Sequence, residues 1–166
     1  TCALPISSKT QRVPLAWISL LRIMLGVLFL TTWASNFSKG FYTPDGLVDF
    51  FTNVFPQANN PLTWYAAFID GVILPIASIF APFQLVTEFL FGLFLLLGLL
   101  TPLASAAGLI FILNTLLATF GHDWPWSYAM MLALLVVVLV TRAGRSLGLD
   151  NLLLQRRGEP RVPFLW

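Results

Sequence analysis

Two charged side chains lie inside otherwise apolar stretches, and they are the residues with the clearest capacity for chemistry. Glu88 is followed by twelve residues, up to Leu100, that carry neither a charge nor a hydrogen-bonding side chain. Arg22 lies within the apolar run Leu20–Leu25. A charge in such a setting is costly unless it has a partner or a function. We therefore expect an intramembrane ion pair, since counting along the helices leaves an axial offset of only about 5 Å between the two residues.

Composition places these charges in a membrane protein. Hydrophobic residues make up 58% of the 166 residues, charged residues 10%, and the mean hydropathy is +0.85. A soluble domain carries about 25% charged residues. The sequence therefore predicts an all-α integral membrane protein that forms one small helical bundle.

Four stretches have the length and composition of membrane spans. A hydrocarbon core of about 30 Å needs about 20 apolar residues in a helix. Thr101-Pro102 marks a tight break between the second and third spans, because proline is well tolerated in the first turn of a helix. The predicted architecture is a four-helix bundle with spans at 14–37, 84–100, 102–120 and 126–141.

The segment 45–80, between the first and second spans, is predicted to be amphipathic or re-entrant. In residues 45–55, apolar positions fall on one side of a helix and polar positions on the other, which is typical of a short helix lying at the membrane interface. Residues 64–80 are apolar but are interrupted by Asp70 and Pro75. They are compatible with a re-entrant helix, with a kinked extension of the second span, or with a fifth span.

Small residues in the spans indicate where helices approach closely. Ala104 and Gly108 are four residues apart in the third span, and Gly26, Gly92 and Gly98 occupy the first and second spans. Small side chains of this kind let helix backbones pack against one another in membranes.

The distribution of charge predicts the orientation. Basic residues cluster before the first span and after the fourth, and the positive-inside rule then places both termini in the cytoplasm with an even number of spans. These arginines are expected to meet anionic lipid headgroups rather than nucleic acid. The clusters are Lys9 and Arg12 on one side, and Arg142, Arg145, Arg156, Arg157 and Arg161 on the other.

The chain divides into three parts by composition. Residues 1–7 resemble the translation of a sequencing adapter and are expected to be an artefact, which removes Cys2, the only cysteine, from the chemistry. Residues 8–150 form the membrane domain, and residues 151–166 form a basic cytoplasmic tail.

Several short motifs, taken in order, resemble the DoxX superfamily. Within it the chain is most similar to DoxD, the small membrane subunit of thiosulfate:quinone oxidoreductase, and the resemblance covers nearly the whole chain after residue 7. The motifs that carry it are Arg22-Ile23-x-Leu25-Gly26, Lys39-Gly40 with Tyr42-Thr43-Pro44, Glu88-x3-Gly92, Leu97-Gly98-Leu99-x-Thr101-Pro102, Gly121-His122, and residues 142–150.

The resemblance implies a four-helix protein of the prokaryotic plasma membrane. It implies a complex that oxidises thiosulfate to tetrathionate and passes the electrons to membrane quinone, together with a DoxA-like partner subunit. Two alternatives stay open: a non-catalytic accessory or scaffold subunit of a membrane complex, and, with less support, a small-anion transporter that would need to form a homo-oligomer.

Six residues are candidates for the site under the redox hypothesis. Arg22 would bind the anion or a quinone oxygen and Glu88 would handle protons, unless the two form only a structural pair. Lys39, Tyr42 and Asp70 are expected at an outer mouth that admits substrate. His122, the only histidine, is either a proton relay or a loop residue bonded to Asp123 or a backbone carbonyl, and alone it makes a poor metal site.

Overall fold

The computed structural model describes residues 15–160, 162 and 165, and within them every regular element is helical. Short π-helical turns occur at Phe50–Val54 and Ile69–Ile73, and 3-10 turns occur at Gln57–Asn59, Leu74–Ile76 and Ala143–Arg145. The α-helices are α1 (Leu15–Ser38), α2 (Pro44–Asp49), α3 (Thr63–Phe68), α4 (Ala77–Leu97), α5 (Thr101–Ala118), α6 (Pro125–Thr141) and α7 (Leu149–Arg157).

Four long helices form the bundle, which confirms the predicted all-α membrane architecture. Helix α1 packs on α4 and α5 packs on α6, while contacts of α1 with α6 and of α4 with α5 close the ring. Helix α1, the helical run Thr63–Leu97 and α5 are long and apolar enough to cross a membrane. Helix α6 is apolar but shorter, with 17 residues, or about 26 Å of helix.

The second span differs most from its predicted bounds of 84–100. Helix α4 begins at Ala77 and ends at Leu97 because Gly98 adopts a left-handed conformation with φ of 65°. Leu100 is also left-handed, and Pro102 lies in the first turn of α5. The described ends of the other three spans lie within two residues of the prediction.

The two ends of the bundle differ in chemistry. We call the end that carries residues 39–62 and 119–124 the loop end, and the end that carries Arg142, Arg145, Arg156 and Arg157 the arginine end. Helix α7 belongs to the arginine end and crosses the predicted domain boundary at residue 150. Residues 1–7 with Cys2, the basic residues before the first span, and Arg161 lie outside the described residues.

The segment predicted to be amphipathic or re-entrant consists of two parts. Thr43 caps α2, its hydroxyl accepting a hydrogen bond from the Gly46 amide at 3.1 Å, and α2 runs directly into the π-helical turn. From Thr63 the chain is helical through to Leu97. Of the three alternatives for residues 64–80, the structure shows the kinked extension of the second span.

This 35-residue helical run must curve. A straight helix would carry Tyr65 about 18 Å beyond the start of α4. The Tyr65 hydroxyl nevertheless donates a hydrogen bond to Asn114 Oδ1 at 2.7 Å, and Asn114 lies four residues before the end of α5. The irregular turns Ile69–Ile73 and Leu74–Ile76 lie where the bend is needed, and interruptions of this kind in the i→i−4 ladder are a usual cause of kinks. The run thus folds α3 back over the loop end of the bundle.

Close packing between α1 and α4 fixes their register. A Cβ added to Gly26 would lie 2.5 Å from the Leu96 amide nitrogen, and one added to Gly92 would lie 2.7 Å from Leu30 Cγ. Only glycine fits at these two positions, in agreement with the predicted close approach.

Two apolar clusters fill the interior. The loop-end cluster joins α2, α3 and the start of α4 through residues such as Leu47, Ile69 and Ala81. The arginine-side cluster lies between the four long helices and contains Leu25, Phe29, Leu95, Ala104, Ile112, Leu135, Val138 and Ala143.

Candidate functional site

Glu88 lies near the middle of α4 with 2% of its surface exposed. Its carboxyl Oε2 accepts a hydrogen bond from the Tyr42 hydroxyl at 2.6 Å. The Asn36 side chain interacts with both groups. Burial, together with the bond to Glu88, raises the pKa of the Tyr42 phenol, so the phenol stays protonated and donates. Within the bundle, the carboxyl is therefore held by neutral donors.

The turn after α1 brings Tyr42 to this position. Gly40 has φ of 72°, and the Phe41 amide donates to the Asn36 carbonyl at 3.0 Å, which closes the end of α1. Phe41 and Tyr42 are both buried in the loop-end cluster. The backbone reversal at Gly40 thus directs the phenol inward, towards α4.

A cavity of about 980 Å³ lies on the other side of Glu88. Its walls are mainly apolar and aromatic, with polar side chains interspersed among them. Volume and lining resemble those of sites for small amphipathic ligands, which span about 300–1,000 Å³. Besides Glu88, the polar lining consists of Thr32, Asn36 and Lys39 from α1 and the turn after it, Gln84 and Thr87 from α4, and Asp49, Tyr65, Asn114, Thr115, Thr119, Asp123, Ser127 and Tyr128 from the remaining elements.

The expected ion pair between Arg22 and Glu88 is not formed. The Arg22 side chain is fully buried at the arginine end, where Nη1 donates to the carbonyls of Leu95 and Leu96 and Nη2 donates to the Leu147 carbonyl at 2.6 Å. Two of these carbonyls, those of Leu95 and Leu96, lie in the last turn of α4, where carbonyls lack the regular helical partner four residues on. Arg22 thus caps α4, and it does not line the cavity.

Helix register explains this correction. Helices α1 and α4 are antiparallel, and the Trp33 indole donates to the Leu85 carbonyl at 3.0 Å, so Glu88 is level with the second half of α1. Arg22 is eleven residues from Trp33, a distance of about 16 Å along the helix. The sequence estimate failed because it assumed that the arginine-side ends of the two helices are level, whereas Gly26 packs beside Leu96 and Arg22 therefore lies level with the end of α4.

The buried charge that accompanies Arg22 is Asp150, which the sequence analysis did not select. Its carboxylate accepts hydrogen bonds from the amides of Leu100 at 2.7 Å and Thr101 at 2.9 Å. These amides begin α5, where carboxylates are favoured. Asp150 also acts electrostatically on Arg22, and its own amide donates to the Gly98 carbonyl at 2.8 Å. We call Arg22, Asp150 and the α4–α5 turn the arginine-end clamp.

The remaining predicted site residues occupy three separate places. Lys39 is exposed and lines the cavity. Asp70 is exposed beside a different, smaller pocket, together with Gln57 and Thr52. His122 is half-buried, and its Nε2 donates to the Pro56 carbonyl at 3.1 Å. The structure therefore places Glu88 and Lys39 on the lining of one cavity and Tyr42 in contact with Glu88, and it places Asp70, His122 and Arg22 elsewhere.

Asn36 is a functional candidate that sequence reasoning missed. It is a polar residue close to the end of the first span, where polar residues are unremarkable, and only the fold shows it beside Glu88 and Tyr42. Asp150 could have been selected from the sequence, because it is the last residue of the motif at residues 142–150. Among the described residues, no three His, Cys, Asp or Glu side chains come close enough to hold a metal ion.

The fold and the site define a class: a small helical membrane protein with a carboxyl group buried beside an apolar cavity. Comparison with known proteins agrees with this description. The family model for DoxX matches residues 17–123, and the chain belongs to the DoxX family. The matched region runs from the first turn of α1 through α5 and includes all of the residues that surround Glu88. The chain has no match among curated protein sequences or among solved structures.

Proposed function

We propose that the chain is the quinone-binding membrane subunit of a complex of the thiosulfate:quinone oxidoreductase type. One observation carries the proposal: a cavity of about 980 Å³, mainly apolar, holds a buried carboxyl at its wall. A quinone headgroup with the start of its tail is a ligand of this size and polarity. The motif resemblance to DoxD supplies the donor, thiosulfate, and a DoxA-like subunit is the proposed partner.

In this proposal, the chain supplies protons to the quinone and holds the proton-donating carboxyl in position. Quinone takes up two electrons and two protons to become quinol, and the electrons come from thiosulfate through the partner. Glu88 gives one proton to a quinone oxygen, regains a proton, and then gives the second proton to the other quinone oxygen. Tyr42 holds the carboxyl in place at 2.6 Å during both steps. A carboxyl without a cationic partner in an apolar site suits this cycle, because its neutral form is readily accommodated there.

Lys39 has a separate role in the proposal. Among the described residues that line the cavity it is the one cation, and it lies at the loop end. An anionic donor such as thiosulfate, or the acidic face of a partner subunit, would approach the cavity past this side chain. The proposed setting is the plasma membrane of a prokaryote, with the arginine end in the cytoplasm.

Thiosulfate-dependent reduction of a soluble quinone analogue tests the proposal. Membranes that contain this chain and a DoxA-like partner should show the activity, and membranes that lack either protein should not. Glu88→Gln keeps the size of the side chain and a hydrogen-bond acceptor for Tyr42 but removes the exchangeable proton. We expect it to fold and to lower turnover about 100-fold or more, in the usual range for a proton-transfer group.

Asp70→Asn is the matched control, since it removes an exposed carboxylate that does not line the cavity. It should retain full activity. Full quinone turnover by a well-folded Glu88→Gln protein would refute the role of Glu88. No activity in any preparation, despite normal insertion, would favour an accessory subunit without redox function.

A further inference from the structure

Most of the polar groups around Glu88 lie towards the loop end, and Thr32 is about level with the carboxyl. Tyr42 and Lys39 belong to the turn after α1, and Asn36 is in the last turns of α1. On α4, Gln84 and Thr87 precede Glu88 and therefore also lie on its loop-end side. Each of these side chains can bind water or exchange a hydrogen bond. A chain of polar groups thus connects the carboxyl with one face of the membrane.

Towards the arginine end, aromatic rings close the cavity. Phe29, Phe91 and Phe111 pack on one another with centroid distances of 6.1, 6.3 and 5.7 Å, and all three line the cavity. We call these three residues the aromatic floor. Phe91 follows Glu88 by less than one helical turn, so the floor begins directly beneath the carboxyl.

Beneath the floor, the four helices present an almost entirely apolar layer. It comprises residues 23–30 of α1, 89–97 of α4, 102–113 of α5 and 129–140 of α6, and the buried Ser105 is the one polar side chain in these ranges. Leu25, Leu95, Leu135 and Val138 fill its centre, each with 2% or less of its surface exposed. The layer reaches from Glu88 to the level of Arg22, about 10 Å along α4. Apart from the single Ser105 hydroxyl, no side chain in these four ranges offers a hydrogen bond to a proton or a water molecule crossing the layer.

We infer that Glu88 exchanges protons only with the loop-end side of the membrane, through the polar side chains next to Tyr42, Asn36 and Lys39. This inference rests on the proposed function and adds to it the side of the membrane from which protons are taken up. Each quinone reduced in the cavity would take its two protons from the side opposite the arginine end. The aromatic floor is the element that imposes the direction.

Cysteine accessibility in sealed vesicles tests this direction without any turnover. The probe is a membrane-impermeant, charged methanethiosulfonate added from one side at a time to Glu88→Cys in a Cys2→Ser background. Asp70→Cys and Arg157→Cys mark the loop end and the arginine end, respectively. We expect Glu88→Cys to react about tenfold or more faster from the Asp70 side, because the apolar layer excludes a charged reagent.

Two further variants keep the test decisive. Asn36→Cys reports on the same place if Glu88→Cys does not fold, since the Glu88 carboxyl remains in that variant. Phe91→Ala opens the aromatic floor and should raise labelling from the Arg157 side, whereas Val140→Ala, at an exposed position on α6, should not. Equal labelling of Glu88→Cys from both sides, or faster labelling from the Arg157 side, would overturn the inference.

The outcome for the proposed redox function can be distinguished from the outcome for the proton access route. If labelling is one-sided but the membranes reduce no quinone, the access route stands and the redox role fails. If quinone is reduced, a pH-sensitive dye trapped in oriented vesicles follows the protons. Proton loss must then occur in the compartment that faces the Asp70 marker, and proton loss on the arginine side would refute the proposed direction of uptake.

Discussion

Loss of the Asp150 carboxylate should destabilise the protein strongly, although the residue is far from the cavity. Asp150 is fully buried and accepts hydrogen bonds from two amides at the start of α5. It is also the negative charge that accompanies the buried Arg22. Asp150→Ala therefore leaves two amides without a partner and a guanidinium without a counter-charge.

The magnitude follows from these contacts. A hydrogen bond to a charged group contributes about 1.5–3 kcal/mol, and removing one partner of a buried charge pair costs about 3–5 kcal/mol. The two effects overlap because they share one carboxylate, so they do not add. We expect Asp150→Ala to lower the free energy of unfolding by about 3–5 kcal/mol. Asp150→Asn keeps one oxygen acceptor and should lose about 1–3 kcal/mol.

Unfolding by titration with SDS in mixed micelles, followed by circular dichroism and tryptophan fluorescence, measures these differences. Asp70→Ala, which removes an exposed carboxylate, is the matched control and should change stability little. The wild type should be the most stable protein, Asp150→Asn should come next, and Asp150→Ala should be the least stable. An Asp150→Ala protein within about 1 kcal/mol of the wild type would refute the arginine-end clamp as a stabilising unit.

Three other predictions concern packing, the site and the histidine. Gly26→Ala places a methyl group against the backbone of α4 and should cost about 1–3 kcal/mol in the same assay, whereas Gly71→Ala, with open space around its Cα, should not destabilise. Tyr42→Phe removes the donor to Glu88, so quinone turnover should fall about tenfold with the far-ultraviolet circular dichroism unchanged, and wild-type turnover would contradict this role. His122→Ala loses one hydrogen bond to a carbonyl and should cost about 0.5–1.5 kcal/mol of stability while quinone turnover stays at the wild-type level.

The sequence was sufficient to predict the fold class because lipid imposes strong constraints on a chain. Backbone amides and carbonyls must be paired within a helix inside the bilayer, so apolar runs of sufficient length are read directly as spans. Three of the four predicted spans agree closely with α1, α5 and α6 for this reason. Small residues such as Gly26 and Gly92 likewise indicated a close helix approach, which the structure places between α1 and α4.

The extension of the second span was open in the sequence and was decided by tertiary contacts. Asp70 and Pro75 made residues 64–80 look interrupted, and local pattern could not distinguish a re-entrant helix from a bent one. The bent form is stabilised by bonds between distant residues, such as that of Tyr65 with Asn114. Such bonds form only when the bundle is assembled.

What the sequence determined by itself is that Glu88 and Arg22 are buried charges that need partners, since neither can be solvated in an apolar run. Which partners they have was decided only by the tertiary structure. Pairing between helices depends on axial register, and a shift of three residues in one helix end moves a side chain about 5 Å. The register set by the packing of Gly26 against Leu96 places Arg22 at the end of α4, near Asp150, and leaves Glu88 with Tyr42.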